Sequence, residues 1–301
     1  MKISAWICLS ALAVASIPSA SAAEAIGFVK DGGGTFVSYE VNGVPLLDSF
    51  YFLFTDFEDR NIQAISVQPA SPVADPCFDC SPVPAGKMFL TFQDEEGDES
   101  YFFHVSHVEL PAPVLRHRDS DYCRKTCSHL LDAKPRDSVF VIVGFSFFYP
   151  GRDHHIERIG IWEENGVLEV FFHDDKLHGD DDLFRYELEY VYLPASMVAR
   201  QGNASGNGAV GSDSATLPFQ LPGQVPGPIG PTVLRGFDFV FHGELDVGLT
   251  YDQEIREIGV RTPGNKVEVF FANEELDLFD WGVDWAALAN VPVFDPGAPR
   301  R

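Results

Sequence analysis

One short pattern occurs three times in the chain and constrains its fold more than any other feature. The pattern reads Asp-x-x-Ile-x-x-Ile-x-Val/Ile and begins at Asp59, Asp153 and Asp252. An alternating apolar and polar segment follows each occurrence, at 88–94, 168–174 and 267–273. Alternation with period two places the apolar side chains on one face of a β-strand. The isoleucine spacing changes from three to two, which indicates a bulge or turn at the start of the first strand.

The flanking residues complete a repeated hairpin unit. Asn165-Gly166 and Gly264-Asn265 separate the two strands of the second and third occurrences, and Asn-Gly supplies the positive φ angles of a type I′ turn. A Phe-rich segment precedes each hairpin, and an alternating aromatic segment follows the second and third. The sequence therefore predicts an all-β protein containing three copies of a roughly four-stranded antiparallel unit, folded either as sandwich-like modules or as three sheets packed together.

The predicted domain boundaries follow these copies. They are a signal peptide at 1–22, an N-terminal β domain with the first copy and the cysteine loops at 23–134, the second copy at 135–194, a Gly/Ser/Pro-rich linker or long loop at 195–235, the third copy at 236–290 and a tail at 291–301. The linker composition cannot bury enough apolar surface to fold alone. Two short apolar segments around the Gly-rich turn at 31–34 predict an N-terminal hairpin.

The first 22 residues have the three parts of a secretory signal peptide. Lys2 is followed by an apolar run, and Ala20-Ser21-Ala22 forms a small-x-small cleavage site. The run is shorter than the ~20 residues that a membrane-spanning helix needs. We therefore expect a secreted or periplasmic protein with no membrane span after cleavage.

The charge balance narrows the classes of partner. The formal net charge is −24 at pH 7, whereas phosphate binding requires clustered Lys and Arg side chains. Nucleic acid is therefore excluded as an expected partner, and anionic membrane surfaces are disfavoured. Glycans, other cell-surface components and divalent cations remain, alongside the alternative that the acidity only keeps an exported protein in solution.

Four cysteines follow the predicted signal peptide, in two pairs: Cys77 with Cys80, and Cys123 with Cys127. An even number of cysteines in an exported chain favours disulfides. Pairing across the two loops closes the longer segment of chain, which removes more entropy from the unfolded state, and is the predicted arrangement. A four-thiolate zinc site is the alternative, because the spacing also suits structural zinc.

Acidic and amide side chains recur at three places in the predicted unit, namely before the first isoleucine, at the end of the second hairpin strand and in the loop after it. They are Asp59, Asp94, Asp98, Asp153, Asp174, Asp180, Asp181, Asp252, Asn273 and Asp277. These places lie at one edge of the predicted sheet, where their oxygens could converge on calcium. The alternative is that these residues cap turns and keep loops solvated.

The second copy also contains histidines that the other copies lack. His154 and His155 follow Asp153, and His173 precedes Asp174. Adjacent residues of a strand face opposite ways, so one member of each pair could join a His/Asp site. Such a site would serve a hydrolase or a metal-dependent enzyme, whereas exposed and inert histidines are the alternative.

No sequence motif for a known type of catalysis is present. The chain has no Gly-x-Ser-x-Gly, no His-Glu-x-x-His, no phosphate loop and no dinucleotide fingerprint. The leading hypothesis is therefore an exported, non-enzymatic binding or adhesion module, stabilised by calcium and binding carbohydrate. A His/Asp enzyme and a purely structural envelope protein are the two alternatives.

Overall fold

The computed structural model describes residues 21–30, 34–38, 43–55, 62–69, 86–94, 100–111, 114–131, 134–149, 156–174, 183–208, 211–217, 229–241, 255–273 and 278–289. Nearly all of these residues belong to β-strands. The strands are β1 (Ser21–Val29), β2 (Gly34–Ser38), β3 (Gly43–Phe54), β4 (Ile62–Pro69), β5 (Lys87–Asp94), β6 (Tyr101–Pro111), β7 (Arg116–Leu130), β8 (Ser138–Phe148), β9 (Ile156–Glu164), β10 (Val167–Asp174), β11 (Leu183–Pro194), β12 (Val198–Gly208), β13 (Ser212–Thr216), β14 (Ile229–Phe241), β15 (Ile255–Arg261), β16 (Lys266–Asn273) and β17 (Phe279–Ala289). Residues 1–20 of the predicted signal peptide and the predicted tail at 291–301 lie outside these ranges.

The predicted hairpins are present and have the predicted local geometry. Strands β4 and β5, β9 and β10, and β15 and β16 pair antiparallel. Asn165 and Gly166 have φ angles of 55° and 83°, as a type I′ turn requires. A register shift marks a bulge near the start of β4, β9 and β15, which confirms the reading of the isoleucine spacing.

The strands form two antiparallel sheets. One has the order β1-β6-β3-β15-β16-β13, and the other has the order β12-β17-β14-β9-β10-β7-β11-β8-β4-β5-β2. The first half of β7 pairs with β11 and its second half pairs with β10. The larger sheet therefore consists of two six-stranded parts that share β7. We name the three groups subsheet A (β1-β6-β3-β15-β16-β13), subsheet B (β7-β11-β8-β4-β5-β2) and subsheet C (β12-β17-β14-β9-β10-β7).

The four strands of a predicted unit do not form a sheet of their own, which corrects the modular reading of the sequence. In each unit the first strand pairs with the last, but its other edge pairs with a hairpin from a different unit. These pairs are β3 with β15, β8 with β4, and β14 with β9. The predicted boundaries at 134/135 and 235/236 therefore separate strands that are hydrogen-bonded neighbours. Periodicity identifies strands, but it does not identify the partner at each edge.

The structure corrects two further predictions. Residues 195–235, predicted as a linker or long loop, contain β12 and β13, which pair with β17 and β16. These small, polar edge strands leave room for large rings beneath them: a Cβ added at Gly206 would lie 2.9 Å from Trp281 Nε1. The predicted N-terminal hairpin is also absent, because β1 pairs with β6 whereas β2 pairs with β5.

Aromatic side chains from all three subsheets pack together in the core. At its centre, Phe50 of β3, Phe145 of β8 and Phe237 of β14 form a triangle. The ring centroids are 5.0 Å apart for Phe50 and Phe145, 4.9 Å for Phe50 and Phe237, and 5.2 Å for Phe145 and Phe237. Each ring is at most 1% exposed. Because each belongs to a different subsheet, the triangle joins all three by direct contact.

The Cys123–Cys127 disulfide lies in the middle of β7, where this strand passes from subsheet B to subsheet C. The Cα atoms of the two cysteines are 5.6 Å apart, and Lys125 between them has a φ of 60°. The predicted pairing across two loops is wrong for this pair, because the left-handed residue brings two cysteines of one strand together. Cys77 and Cys80 lie outside the described residues.

We predict that Phe145→Ala lowers the free energy of unfolding by about 3–5 kcal/mol, the usual cost of removing a buried phenylalanine ring. The loss arises because both partner rings of the triangle lose their contact with Phe145. Urea denaturation followed by circular dichroism measures it. Phe36→Ala, at a ring that is 43% exposed, is the control and should cost much less. Equal costs for the two variants would contradict the central role of the triangle.

Candidate functional site

Most of the predicted calcium ligands fall outside the described residues. These are Asp59, Asp98, Asp153, Asp180, Asp181, Asp252 and Asp277. Of the remaining three, Asp94 ends β5 and is 1% exposed, whereas Asn273 ends β16 and is fully buried. Asp174 ends β10, where only its backbone is described.

The three described ligand candidates lie on three different subsheets. Asp94 belongs to subsheet B, Asp174 to subsheet C and Asn273 to subsheet A. Within the described ranges, one group of three or more His, Cys, Asp or Glu side chains has the spacing of metal ligands, and it consists of Cys123, Cys127 and His129. Calcium binding therefore stays a prediction.

The predicted His/Asp site is described in one residue alone. His154, His155 and Asp153 lie outside the described residues, as does the side chain of Asp174. His173 Nε2 lies 2.8 Å from Thr126 Oγ1 of the neighbouring β7. The contact gives His173 a hydrogen-bonding partner on the adjacent strand, and the His/Asp enzyme also stays a prediction.

A cleft of about 380 Å³ lies on the outer side of subsheet B, and we name it cleft B. Apart from Gln63 and the core residue Tyr186, its lining residues on β4, β5, β8 and β11 alternate with residues of the core. The lining consists of Gly34, Gln63, Ala64, Ser66, Gln68, Phe89, Thr91, Gln93, Ser146, Phe148, Arg185, Tyr186 and Glu187. Strand alternation thus places a row of amide, hydroxyl and aromatic groups on a surface whose reverse side is the core.

Cleft B combines apolar rings with neutral hydrogen-bonding groups. Phe89 and Phe148 are half-buried, so each presents part of its ring to solvent. Phe89 is supported from one side by Phe36, whose centroid is 5.2 Å away. Gln68 and Gln93, together with the hydroxyl groups of the cleft, offer both donors and acceptors. A few convergent polar groups beside apolar walls are typical of small-molecule sites.

The one carboxylate that lines cleft B has three charged or polar donors. Glu187 Oε2 accepts hydrogen bonds from Arg118 Nη2 at 2.6 Å and Gln68 Nε2 at 3.0 Å, and its Oε1 accepts from Arg185 Nη2 at 2.6 Å. The carboxylate is 6% exposed. A buried carboxylate with this many charge-assisted partners is held firmly in one orientation. Glu187 therefore positions Gln68 and Arg185 at the cleft.

A second cleft, of about 420 Å³, lies on the outer side of subsheet C, and we name it cleft C. Trp162 and Phe171 supply its rings, and a Cβ added at Gly282 would touch Trp162 at 3.5 Å, so glycine leaves that ring open. Arg158 donates two hydrogen bonds to Asp238, at 2.8 and 2.7 Å, and stacks 3.6 Å from the Phe171 centroid.

The chemistry of cleft C differs from that of cleft B. Its lining also contains Glu164, Glu169 and Asp280, so carboxylates outnumber the single cation, Arg158. The two clefts occupy matching places on their subsheets. On β9, Trp162 lies four residues after Arg158, and on β4, Gln68 lies four residues after Ala64. Related backbone positions thus carry a mainly neutral lining in one subsheet and an acidic lining in the other.

The matching place on subsheet A is filled by its own side chains. The Tyr51 and Phe270 rings meet edge to face at 5.0 Å, and the Tyr51 hydroxyl donates to Glu257 Oε1 at 2.8 Å. Burial raises the pKa of Tyr51 and that of Glu257, and the hydrogen bond raises that of Tyr51 further. The Tyr51 hydroxyl therefore keeps its proton at neutral pH and remains a hydrogen-bond donor.

Comparison of the chain with protein-family models and with curated protein sequences finds no match. Across the parts of the chain that the structure describes, no helix has the length and apolar character needed to cross a membrane. The two clefts are therefore the observations from which a function follows.

Sequence reasoning missed both clefts. Their residues are the polar half of alternating strands, which reads as an ordinary solvated face. Trp162 carries the one signal available, because a large aromatic residue at a polar-face position is unusual enough to mark a binding surface.

A half-buried acid lies away from the clefts, at a bulge in β3. The pairing of β3 with β6 shifts register between Leu47 and Ser49, which places Asp48 in a β-bulge. Burial raises its pKa from 3.8 to about 6, although a hydrogen bond from Ser106 Oγ and the charge of His107 lower it. The folded protein thus binds the Asp48 proton more tightly than the unfolded chain does.

We predict that the Asp48 contribution to stability is largest below pH 3.8 and is lost as the pH rises through about 6. Asp48→Asn should therefore raise the free energy of unfolding at pH 7 and leave it nearly unchanged at pH 3.5. Urea denaturation at a series of pH values measures this difference. Burial also raises the pKa of Asp284 to about 6. Because both proteins contain Asp284, it contributes the same pH dependence of the free energy of unfolding to each. A variant curve parallel to that of the parent would refute the assignment.

Proposed function

We propose that the chain is an exported, non-enzymatic carbohydrate-binding protein and that cleft B is its main sugar site. The supporting observation is the combination of half-buried Phe89 and Phe148 with the neutral donors and acceptors of Gln68, Gln93 and Ser146. The apolar face of a sugar ring packs on an aromatic ring, while its hydroxyl groups exchange hydrogen bonds with amides and hydroxyls. Cleft B offers both kinds of contact at one place.

A binding function is favoured over hydrolysis by the same lining. Glycoside hydrolysis requires two carboxyl groups about 5–9.5 Å apart, one of them able to donate a proton. Glu187 is the one carboxylate among the described residues of cleft B, and it is held by Arg118, Arg185 and Gln68. Cleft B thus offers recognition chemistry without an acid–base pair.

The three-copy organisation is part of the proposal. It is supported by the shared pairing rule, in which the first strand of each unit lies between its own last strand and a hairpin of another unit. The Phe50, Phe145 and Phe237 triangle, with one ring from each first strand, supports it further. Related units place clefts B and C on one chain, and two sites on one chain bind a polymer that carries both ligands with higher avidity than either site alone.

Secretion or export to the periplasm, and stabilisation by calcium, complete the proposal. The signal-peptide pattern supports the first, and the recurring carboxylates at strand ends support the second. The acidic lining of cleft C, with Glu164, Glu169 and Asp280 around Trp162, favours amino sugars or other cationic groups at this second site.

The experiment is a glycan array with the purified protein, in calcium and in EDTA, followed by calorimetric titration of the best neutral sugar. We predict that Phe89→Ala and Gln68→Ala each weaken its binding about tenfold, equivalent to ~1.4 kcal/mol. Trp162→Ala should leave this sugar unaffected and weaken any amino sugar bound in cleft C. Leu115→Ala, at a residue 74% exposed and outside both clefts, is the control.

Two results would contradict the proposal. One is the absence of binding to any glycan on the array in either condition. The other is sugar binding that Phe89→Ala and Gln68→Ala leave unchanged, with both variants folded by circular dichroism. A requirement for calcium would make the strand-end carboxylates the next positions to substitute, one unit at a time.

A further inference from the structure

The inner side of β7 carries a set of side chains that the proposed sugar site does not use. Asp121 and Cys123 lie opposite Tyr186 and Phe184 of β11, whereas Cys127 and His129 lie opposite Val170 and Leu168 of β10. Directly opposed residues of an antiparallel pair share a face, so all four of these β7 residues lie on the face of β7 that adjoins the core, where the Asp121 side chain is 51% exposed. We name Asp121, Cys123, Cys127 and His129 the β7 cluster.

The spacing of this cluster suits a single metal ion. The ligand atoms of Cys123, Cys127 and His129 all lie within 4.8 Å of one another. Two sulfur ligands of one zinc ion are at most about 4.6 Å apart, because each Zn–S bond is about 2.3 Å long. The left-handed Lys125, with its φ of 60°, brings the two halves of β7 together at this point. The backbone thus supplies the spacing.

Asp121 adds the outer contact that metal-binding histidines usually have. Its Oδ2 lies 3.5 Å from His129 Nε2, and the His129 side chain is 31% exposed. A carboxylate beside a ligating histidine fixes the orientation of the ring and raises its basicity. The partial exposure of His129 gives an ion a path from solvent, while Cys127 is buried.

We call β7 a corner, because it passes from subsheet B to subsheet C. The chain segment with β1 and β2 is the corner between subsheets A and B, and the segment with β12 and β13 is the corner between subsheets C and A. These other two corners show that the architecture does not require the residues of the β7 cluster. His129 lies opposite Leu168. The residues at the corresponding positions of the other two corners are Val37, opposite Met88, and Ala215, opposite Val267. The place of Asp121, opposite Tyr186, corresponds to Gly27 opposite Phe103 and Gly206 opposite Trp281. Small or apolar residues are therefore sufficient at a corner, and β7 departs from them at both places with a metal-binding type of side chain.

We infer that the β7 cluster is a redox-gated site for a d¹⁰ metal ion, Zn²⁺ or Cu⁺, which binds when the Cys123–Cys127 disulfide is reduced. Thiolate and imidazole ligands together select these ions. An external dithiol breaks the S–S bond, donates two electrons and two protons to the cysteine sulfurs, and becomes a cyclic disulfide itself. Metal binding then releases both protons to solvent as the two thiolates bond to the ion. Cys123, Cys127 and His129 are the ligands, and Asp121 is a positioning residue.

The test uses the full chain with Cys8, Cys77 and Cys80 changed to serine, so that the thiols of the β7 cluster are the only ones present. The protein is reduced with a dithiol, the dithiol is removed under argon, and Zn²⁺ and Cu⁺ are titrated separately against chromophoric chelators. We expect one equivalent of at least one ion to bind the reduced protein and none to bind the oxidised protein at the same chelator concentration.

The variants identify the ligands. His129→Ala should weaken binding at least tenfold, and Asp121→Asn should weaken it about tenfold, a loss that the conservative Asp121→Glu largely restores. His117→Ala, on the same strand and stacked on Tyr190 at 5.2 Å, is the matched control and should bind as the parent does. Near-ultraviolet circular dichroism confirms that each variant is folded.

The inference is overturned if the reduced parent binds neither ion stoichiometrically, or if His129→Ala and Asp121→Asn both bind like the parent. Equal binding by oxidised and reduced protein would also overturn it, because the disulfide would then not control the site. Each of these results would leave Cys123–Cys127 as a purely structural link across the bend in β7.

Discussion

Hydrogen bonding between the first strand of each unit and a hairpin from elsewhere in the chain is the constraint on which the fold depends. Tyr51 and Glu257, which meet across one of these pairings, are 206 residues apart in sequence. No unit can complete a sheet without the others, so the hydrogen-bonding edges are satisfied only when the whole chain has folded. The Phe50, Phe145 and Phe237 triangle forms at the same time, since its rings arrive on three different subsheets.

The corners solve a separate problem, because one backbone segment must serve two subsheets. A strand cannot follow two differently oriented partners without a local change of direction. Gly211, with a φ of 80°, precedes β13 at one corner, and Lys125 supplies the left-handed residue at another. Only glycine takes this conformation without a steric cost. The disulfide around Lys125 holds the less favourable residue in place, and the same bend brings Cys123 and Cys127 next to His129.

The sequence specifies local features of this fold well and its connectivity poorly. The three hairpins, the Asn165-Gly166 turn and the bulges near the starts of β4, β9 and β15 all follow from periodicity and turn chemistry. The exchange of hairpins between units does not, because a strand with one apolar face pairs equally well with several partners. The corner strands β12 and β13 escaped prediction because they cover aromatic rings with glycine, serine and alanine and need no apolar face of their own. The clefts were hidden for a related reason: a polar face that binds a ligand has the same alternation as one that faces water.

The net charge of −24 bears on which ligands reach the two clefts. A strongly acidic surface repels anionic polymers at distances up to the Debye length, about 8 Å at physiological ionic strength. Arg185 is paired with Glu187 at cleft B, and Arg158 is paired with Asp238 at cleft C, so the arginine at each cleft already has a carboxylate partner. The negative charge of the protein would therefore repel sulfated or uronic-acid sugars as they approach. At the clefts, both guanidinium groups are already paired with protein carboxylates. Neutral sugars would meet neither obstacle at cleft B, and the carboxylates of cleft C would attract cationic sugars. The acidity of the chain is therefore consistent with the proposal that the two clefts bind different sugars.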